Sequence, residues 1–403
     1  MMKTKPYKLV VPPINFPANG SPVTTVSIPI PGGPLDTCLD ITITGAPTLT
    51  SGNNVAANWL RGDECALLAD MRLKDANGQL LCRSNGHKLR LESFFRNKRF
   101  PEVTAVIGDG VTANPPFNTT LRFNLSAIDL NNNMDIALFT RMTGGCTLEL
   151  DIAPPNYLNS AATGWTTIPV VEVTRYPSTG PHVPLFMPLK RLITGGFSAS
   201  QTGEQKIPIS AGSNPIHGFI ITLLAGDTNG ATWTTGSEQP SLSKTIAVGN
   251  GQTSLINKRT WAQTWQSNAL RRGLPQLFNR ALGAADADDV TGAASGFQQR
   301  FSQNKLENVY ASLFVEFPID GNISGMLSGS TNMNDLHIDL DLTATTNWEV
   351  LVIEAFPLTD AVLASAPGGG IARPPRRDRI VEQALLNAGL FNPAQMAALG
   401  YAR

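Results

Sequence analysis

Apolar residues in this chain recur mostly at every second position, in short runs broken by Gly, Pro, Asn and Ser. That period belongs to half-buried strands of a β-sandwich rather than to helices. Leu121, Phe123 and Leu125 alternate with polar residues, as do Leu313, Val315 and Phe317. Two stretches depart from the pattern. Asn77 to Pro101 and Asn250 to Pro275 each open on Asn-Gly-Gln, cross a short apolar piece, enter a helical period and stop at a proline. Leu91, Phe94 and Phe95 fall at i, i+3, i+4, and Trp261, Trp265 and Ala269 at i, i+4, i+8, so each set makes one apolar helical stripe. Arg96, Lys98 and Arg99, and Arg271 and Arg272, follow the stripes, where a helix C-terminus favours cations. The expectation is one helix per copy, pinned against the end of its own barrel.

Other landmarks repeat in the same order, which predicts a duplicated domain rather than a solenoid. Ile28-Pro29-Ile30 matches Ile207-Pro208-Ile209, in runs whose proline suits an edge or the first residues of a strand. Ile41 to Thr44 matches Ile220 to Leu223, and Thr147 to Ile152 matches His337 to Leu342. Val170 to Val173 is set against Val352 to Ala355, each a few residues after Trp165 or Trp348. The second copy carries extra residues between helix and next strand, within Gln276 to Asn308, read as a long surface loop.

The 403 residues exceed the usual size of a single core, in keeping with two domains. Lys+Arg 31 balance Asp+Glu 31, so the chain lacks the basic excess that coating nucleic acid requires. Cys38, Cys65, Cys82 and Cys146 show no CxxC spacing and read as buried free thiols. Prolines 12, 13 and 17 break any signal-peptide core, and no run of 18 apolar residues occurs. Synthesis in a reducing cytoplasm is therefore expected. Lys3, Lys5 and Lys8 among prolines mark an arm, either disordered or docked on a neighbour or an anionic surface. After a Gly/Pro linker, Arg376 to Gly389 shows one apolar helical side, and Asn392-Pro393 opens a second short helix. This tail is read as a docking segment.

For chemistry, the most suggestive set is Asp335, His337, Asp339 and Asp341, which share one face of a predicted strand. Such a face could hold a divalent metal or an acid/base pair. The solvent side of a half-buried strand predicts the same alternation, and the first copy has Glu149 and Asp151 but no histidine there. Asp63-Glu64 and Asp286, Asp288 and Asp289 read as solvated loop clusters. No catalytic, cofactor or metal residue is assigned, because no nucleophile elbow, phosphate loop or metal-spaced histidine pair occurs.

Two β-rich copies with a helix and a long loop at matching places predict an all-β chain of two tandem eight-stranded jelly rolls, each with a short helix, plus a short helical C-terminal tail. On these features the chain resembles the double jelly-roll major capsid proteins of tailless icosahedral viruses, especially bacteriophages with an internal membrane. The residues that carry the likeness are the duplicated strand order and the helices ending at Arg99-Phe100-Pro101 and Arg272 to Pro275. The organisation expected is an arm over 1–22, a first jelly roll over 23–176, a connector over 177–195, a second jelly roll over 196–358, and a linker with helical tail over 359–403. The resemblance implies a non-enzymatic structural protein without cofactor, assembled as a homotrimer of pseudo-hexagonal outline. Its implied partners are copies of itself, neighbouring capsomers, minor capsid proteins and membrane lipid through the C-terminal tail, with no direct specific binding of nucleic acid. Gln276 to Asn308 would face outward, and 1–20 or 366–403 inward. Two other classes remain open at this point. One is a tandem jelly-roll glycan hydrolase using Asp339 and Asp341; the other is a glycan-binding spike with exposed aromatics such as Trp233.

Overall fold

The structure is a computed structural model. It describes residues 2–359 apart from 98–106, 126–143, 180–185, 210–213, 226–241, 273–311 and 318–334 and short gaps at 4, 34, 56–57, 60–63, 108 and 252. The tail, Trp233, Asp63, the Asp286 cluster, His182, the prolines closing both helical stretches and the 276–308 loop lie outside the described residues.

The first half contributes β1 (Met2–Lys3), β2 (Tyr7–Lys8), β3 (Thr24–Ile30), β4 (Leu35–Pro47), β5 (Leu68–Asp75), β6 (Leu80–Ser84), α1 (Gly86–Asn97), β7 (Phe117–Asn124), β8 (Cys146–Ile152) and β9 (Trp165–Thr179). The second contributes β10 (Phe186–Phe197), β11 (Gly203–Pro208), β12 (Ile216–Ala225), β13 (Ser243–Asn250), β14 (Thr253–Thr260), α2 (Trp261–Arg272), β15 (Ser312–Glu316), β16 (Leu336–Leu342) and β17 (Thr346–Pro357). The chain is thus mostly β, with two α-helices among the described residues.

Each half folds its strands in one order. In the first, β9-β4-β7 form a sheet to which β1 and β2 add on β9, facing β6-β5-β8-β3. In the second, β10-β17-β12-β15 face β14-β13-β16-β11. Apart from the hairpins β5-β6 and β13-β14, strands that are neighbours in space are distant in sequence, which is jelly-roll connectivity, and each half is called a roll below. Inward-facing residues of the first roll, such as Leu39, Ile41, Leu121, Phe123, Leu148 and Val173, make one apolar core; Phe219, Ile221, Leu313, Ile338, Leu340 and Val350 belong to another. The rolls join through a parallel contact of β10 with β6, at Lys190 and Cys82, so one eight-stranded sheet runs from β15 to β3.

Local chemistry explains the repeats. Gly78 and Gly251 both take positive φ, +80 and +58, at the turns of β5-β6 and β13-β14, a conformation only glycine adopts cheaply. Pro29 and Pro208 sit on β3 and β11, which are edge strands, where a missing N–H costs no ladder bond. Asn85 caps α1 by accepting from the Lys88 amide at 2.9 Å, and Thr260 caps α2 by accepting from the Gln263 amide at 3.2 Å. The Gln263 side chain returns a bond to the Thr260 amide at 3.1 Å, completing a capping box.

The span read as a connector over 177–195 includes most of β10, a strand of the second roll, and Glu64, read as solvated, is buried 3.8 Å from Arg90. Three further expectations change. The stretch read as an arm, disordered or reaching a neighbour, instead supplies β1 and β2 to its own roll. Tyr7 pairs with Arg175, and the buried Arg175 guanidinium donates to the Tyr7 hydroxyl, the Pro31 carbonyl and Asp36. Trp165 adds a bond to the Pro17 carbonyl, and Val11, Ile14 and Phe16 pack on the first core. Second, the strand read as Val170 to Val173 against Val352 to Ala355 is out of register. Ile41 lies between Leu121 and Val173, and Ile221 lies between Leu313 and Val350, so Val173 corresponds to Val350, and Ile41 to Thr44 corresponds to Ile221 to Leu224, one residue on from the match with Ile220 to Leu223. β17 is buried on both faces, which removes the alternation that would have fixed its register. Third, Leu91, Phe94 and Phe95 of α1 do not pin their own barrel. They join the apolar cluster of the second roll from the outer face of its sheet, while Leu89 lies in the core of the first.

Candidate functional site

The acidic strand is β16. Ile338, Leu340 and Leu342 point into the core, and Asp339 and Asp341 are half-buried on the other face, as the alternation predicts. His337 is buried rather than offered to a ligand. Its ring lies over Gly249, where an added Cβ would come within 2.7 Å of Nε2, and its Nδ1 is 2.7 Å from the Asp335 carbonyl. Nε2 is 3.4 Å from Asp339, and Asp335 is 72% exposed and 3.8 Å from Nδ1. Lys258 bridges to Glu204 at 2.6 Å, and Asp341 and Asp339 add to the field that raises its pKa. Among the described residues no group of three or more His, Cys, Asp and Glu is arranged to hold a metal ion.

In the first roll the matching carboxylates are engaged by cations. Arg72 donates to Asp151 at 2.7 and 2.8 Å, to Glu149 at 3.0 Å and to Asp70 at 2.8 Å, and Lys74 reaches Glu149 at 2.6 Å. Burial opposes ionisation of Asp151, but hydrogen bonds from Arg72 and Thr25 outweigh it and hold the carboxyl below its usual range. The Lys74 bond, ahead of that from Arg72, does the same for Glu149 against the effect of burial. A carboxyl with a depressed folded pKa stabilises above its unfolded pKa, and that stability is lost as pH falls through the folded value. Arg72→Ala is therefore expected to lose about 1–3 kcal/mol at neutral pH. Its melting temperature should also depend less on pH than that of the unaltered chain below about pH 4. Thermal melts at two pH values check both statements.

The other cluster lies where the rolls meet, on α1. The helix is buried on both sides because it sits between its own roll and the outer face of the β10-β17-β12-β15 sheet. Phe95 packs on Phe314 at 5.8 Å and on Phe94 at 5.2 Å between ring centroids. Lys88 donates to the Thr222 hydroxyl and to the carbonyls of Glu349 at 3.1 Å and Ile220 at 3.4 Å. Lys190 of β10 meets Glu92 of α1 at 2.6 and 2.8 Å, donates to the Asn124 carbonyl at 2.6 Å and lies 4.8 Å from the centre of the Phe123 ring. Sequence reading missed these residues. A Lys and a Glu on a helix normally read as its solvated side, and only the second roll makes that side an interior.

All four cysteines are buried free thiols, as expected from their spacing. Burial pushes the Cys82 thiol up to about 12, and its Sγ is 3.6 Å from the Pro188 carbonyl at the same seam. The folded chain is expected to be inert to a thiol reagent at neutral pH, with four thiols titrating only after denaturation. Rapid labelling of any thiol in the native chain would contradict this.

Asp109, within a Gly-Asp-Gly sequence, accepts from the amides of Val111 and Thr112 and from Asn54, which makes it the keystone of a turn. Among the described residues no helix is long and apolar enough to cross a membrane.

No family model matches the chain, and no curated protein matches it. Solved structures do. A chain in the atomic structure of Sulfolobus Turreted Icosahedral Virus is similar with a TM-score of 0.61 at 13% identity, over 99% of this chain and 98% of that one. The crystal structure of the STIV MCP is similar with a TM-score of 0.57 at 13% identity, over 90% of this chain and 100% of that one. A chain of the PBCV-1 virus capsid gives 0.53 at 12% identity, over 87% and 92%. At these identities the likeness is one of fold, and it extends over nearly the whole chain.

Proposed function

We propose that this chain is the major capsid protein of a tailless icosahedral virus and a component of the virion. Its two tandem eight-stranded jelly rolls, each with a helix after a matching hairpin (β5-β6 and β13-β14), would stand upright in the shell as homotrimers of pseudo-hexagonal outline. The observation that carries the reading is the pairing of two like rolls in one chain, with a fold shared over 99% of its length with a chain of Sulfolobus Turreted Icosahedral Virus. Two like units per chain let a trimer present six similar sides, the geometry a hexagonal tile needs. The carboxylates of the first roll are held by cations, and His337 is packed on Gly249, which favours a rigid tile over a hydrolase. The finer reading takes the virus as a bacteriophage, with the shell lying over an internal membrane. The tail over 366–403 would then face inward to lipid or minor capsid proteins, and the loop over 276–308 outward. Electron microscopy and sedimentation of the purified full-length chain test the reading. Hexagonal trimers or shells are expected, and a chain that stays monomeric at high concentration overturns it.

A further inference from the structure

We propose that the outer face of the β7-β4-β9 sheet is the seat for helix α2 of a second copy of this chain. This contact would be the intermolecular counterpart of the one α1 makes within the chain. The inference deepens the assembly reading above and rests on it for the presence of a neighbour.

The argument begins with the occupied seat. On the outer face of the second roll, Thr222 faces Ser312 on one side and Glu349 on the other, with the two hydroxyls 2.8 Å apart. Lys88 of α1 lands on Thr222, and Asn85, which caps α1, points its amide nitrogen at Glu349 at 3.5 Å. The first roll carries the same set of two hydroxyls and a carboxylate, with the Asp40–Arg122 ion pair, 2.7 Å apart, standing where Ile220 and Phe314 stand in the occupied seat. Thr42 faces Thr120 and Glu172, and the hydroxyls of Thr42 and Thr120 are 2.9 Å apart. This second seat is open to solvent. Glu172 there is exposed and paired with Lys8, and Ile168 and Val170 are 66% and 55% exposed on the same strand.

The complementary helix is open too. The caps Asn85 and Thr260 correspond, as do Ser93 and Asn268, which donate to the matching carbonyls of Arg122 and Phe314. Each helix therefore lies on its own roll in the same way. Lys88, Leu91 and Phe95, which α1 presents to the second roll, correspond to Gln263, Gln266 and Leu270. All three are exposed on α2, Leu270 by 72%. The buried Glu92–Lys190 pair of the internal seam is replaced as a unit, and the carboxylate of Glu349 recurs as Glu172, which keeps Lys8 as its partner at 2.7 Å. Ser267 stands for Glu92. Tyr7 faces Arg175 as Arg191 faces Val352, so Pro6 stands for Lys190. Losing both partners at once leaves no buried charge uncompensated, as a seam formed between separate chains requires.

A free helix at one end and a free seat at the other make a head-to-tail interface, which closes into a ring when its rotation permits. Cross-linking tests the contact in the full-length chain. Thr120→Cys and Gln266→Cys introduce thiols at exposed positions, against a background in which the native cysteines are buried. A short bis-maleimide should link chains only when both new thiols are present, in one chain or in a mixture of the two single variants. Thr120→Arg, at an exposed position, should weaken self-association about tenfold or more while leaving the melting profile of the dilute chain unchanged. Oligomers by sedimentation with neither cross-links nor sensitivity to Thr120→Arg would overturn this seat and leave the capsid reading standing. A chain without oligomers at any concentration would overturn both.

Discussion

Glu92→Ala is expected to destabilise the chain by about 3–5 kcal/mol, because it removes the carboxylate that neutralises Lys190 inside the seam between the rolls. The side chains of Glu92 and Lys190 are 0% and 1% exposed and meet at 2.6 Å, so water cannot replace the lost partner. Burying a charge is costly, and Coulomb attraction at this distance offsets the cost only while both ions are present. The paired variant Glu92→Met with Lys190→Met should therefore recover most of the loss, since it removes both desolvated ions and keeps the volume. Chemical denaturation of the single and double variants measures the difference. A single variant within about 1 kcal/mol of the unaltered chain would mean that the pair is hydrated in solution.

Phe95→Ala should cost a similar amount, about 3–5 kcal/mol, and its larger consequence is for cooperativity. The ring packs against Phe94 and against Phe314 of the other roll, and Leu89, six residues earlier on the helix, lies in the first core. Helix α1 is thus shared by two cores and couples their unfolding. Removing the ring leaves a cavity on the side facing the second roll, so calorimetry should resolve the melt into two transitions. Trp261, Trp265 and Trp348 belong to the second core, whereas Trp59 lies in the first and Trp165 packs against it, so replacing Trp59 and Trp165 together leaves tryptophans only in the second half of the sequence and assigns the fluorescence change to it. A single transition at an unchanged temperature would sink this account.

These variants differ in what they say about assembly. Both weaken a seam already formed inside one chain, whereas the open counterpart on Thr42, Thr120 and Glu172 is tested by association. If the two seams are related as proposed, a chain with a loosened internal seam should also assemble poorly, because the angle between its rolls sets the approach of the next copy.

Much of the fold is legible in the residues themselves. Period-two alternation in Leu121 to Leu125 and Leu336 to Leu342 defines strands with one face buried, and the structure keeps those faces. The Asn-Gly-Gln turns, the edge prolines and the two helix starts are local features, each governed by backbone sterics or capping within a few residues. Duplication follows from their shared order. The candidate site was less legible. Asp335, His337, Asp339 and Asp341 do alternate, but His337 is spent on packing over a glycine of the neighbouring strand, which no spacing along β16 reveals.

What the sequence alone determined was the class of element along the alternating strands such as β7 and β16 and along the two helices, the duplication, and the free, buried state of the cysteines. Tertiary structure alone decided three things. It decided the register of β17, whose two buried faces carry no period to align. It decided that the N-terminal stretch pairs with β9, since strand partners are chosen across sequence distance rather than along it. And it decided that Leu91, Phe94, Phe95 and Lys88 face a second roll. A helix stripe shows only that something apolar covers it, and which surface does so depends on how two separately folded cores are brought together.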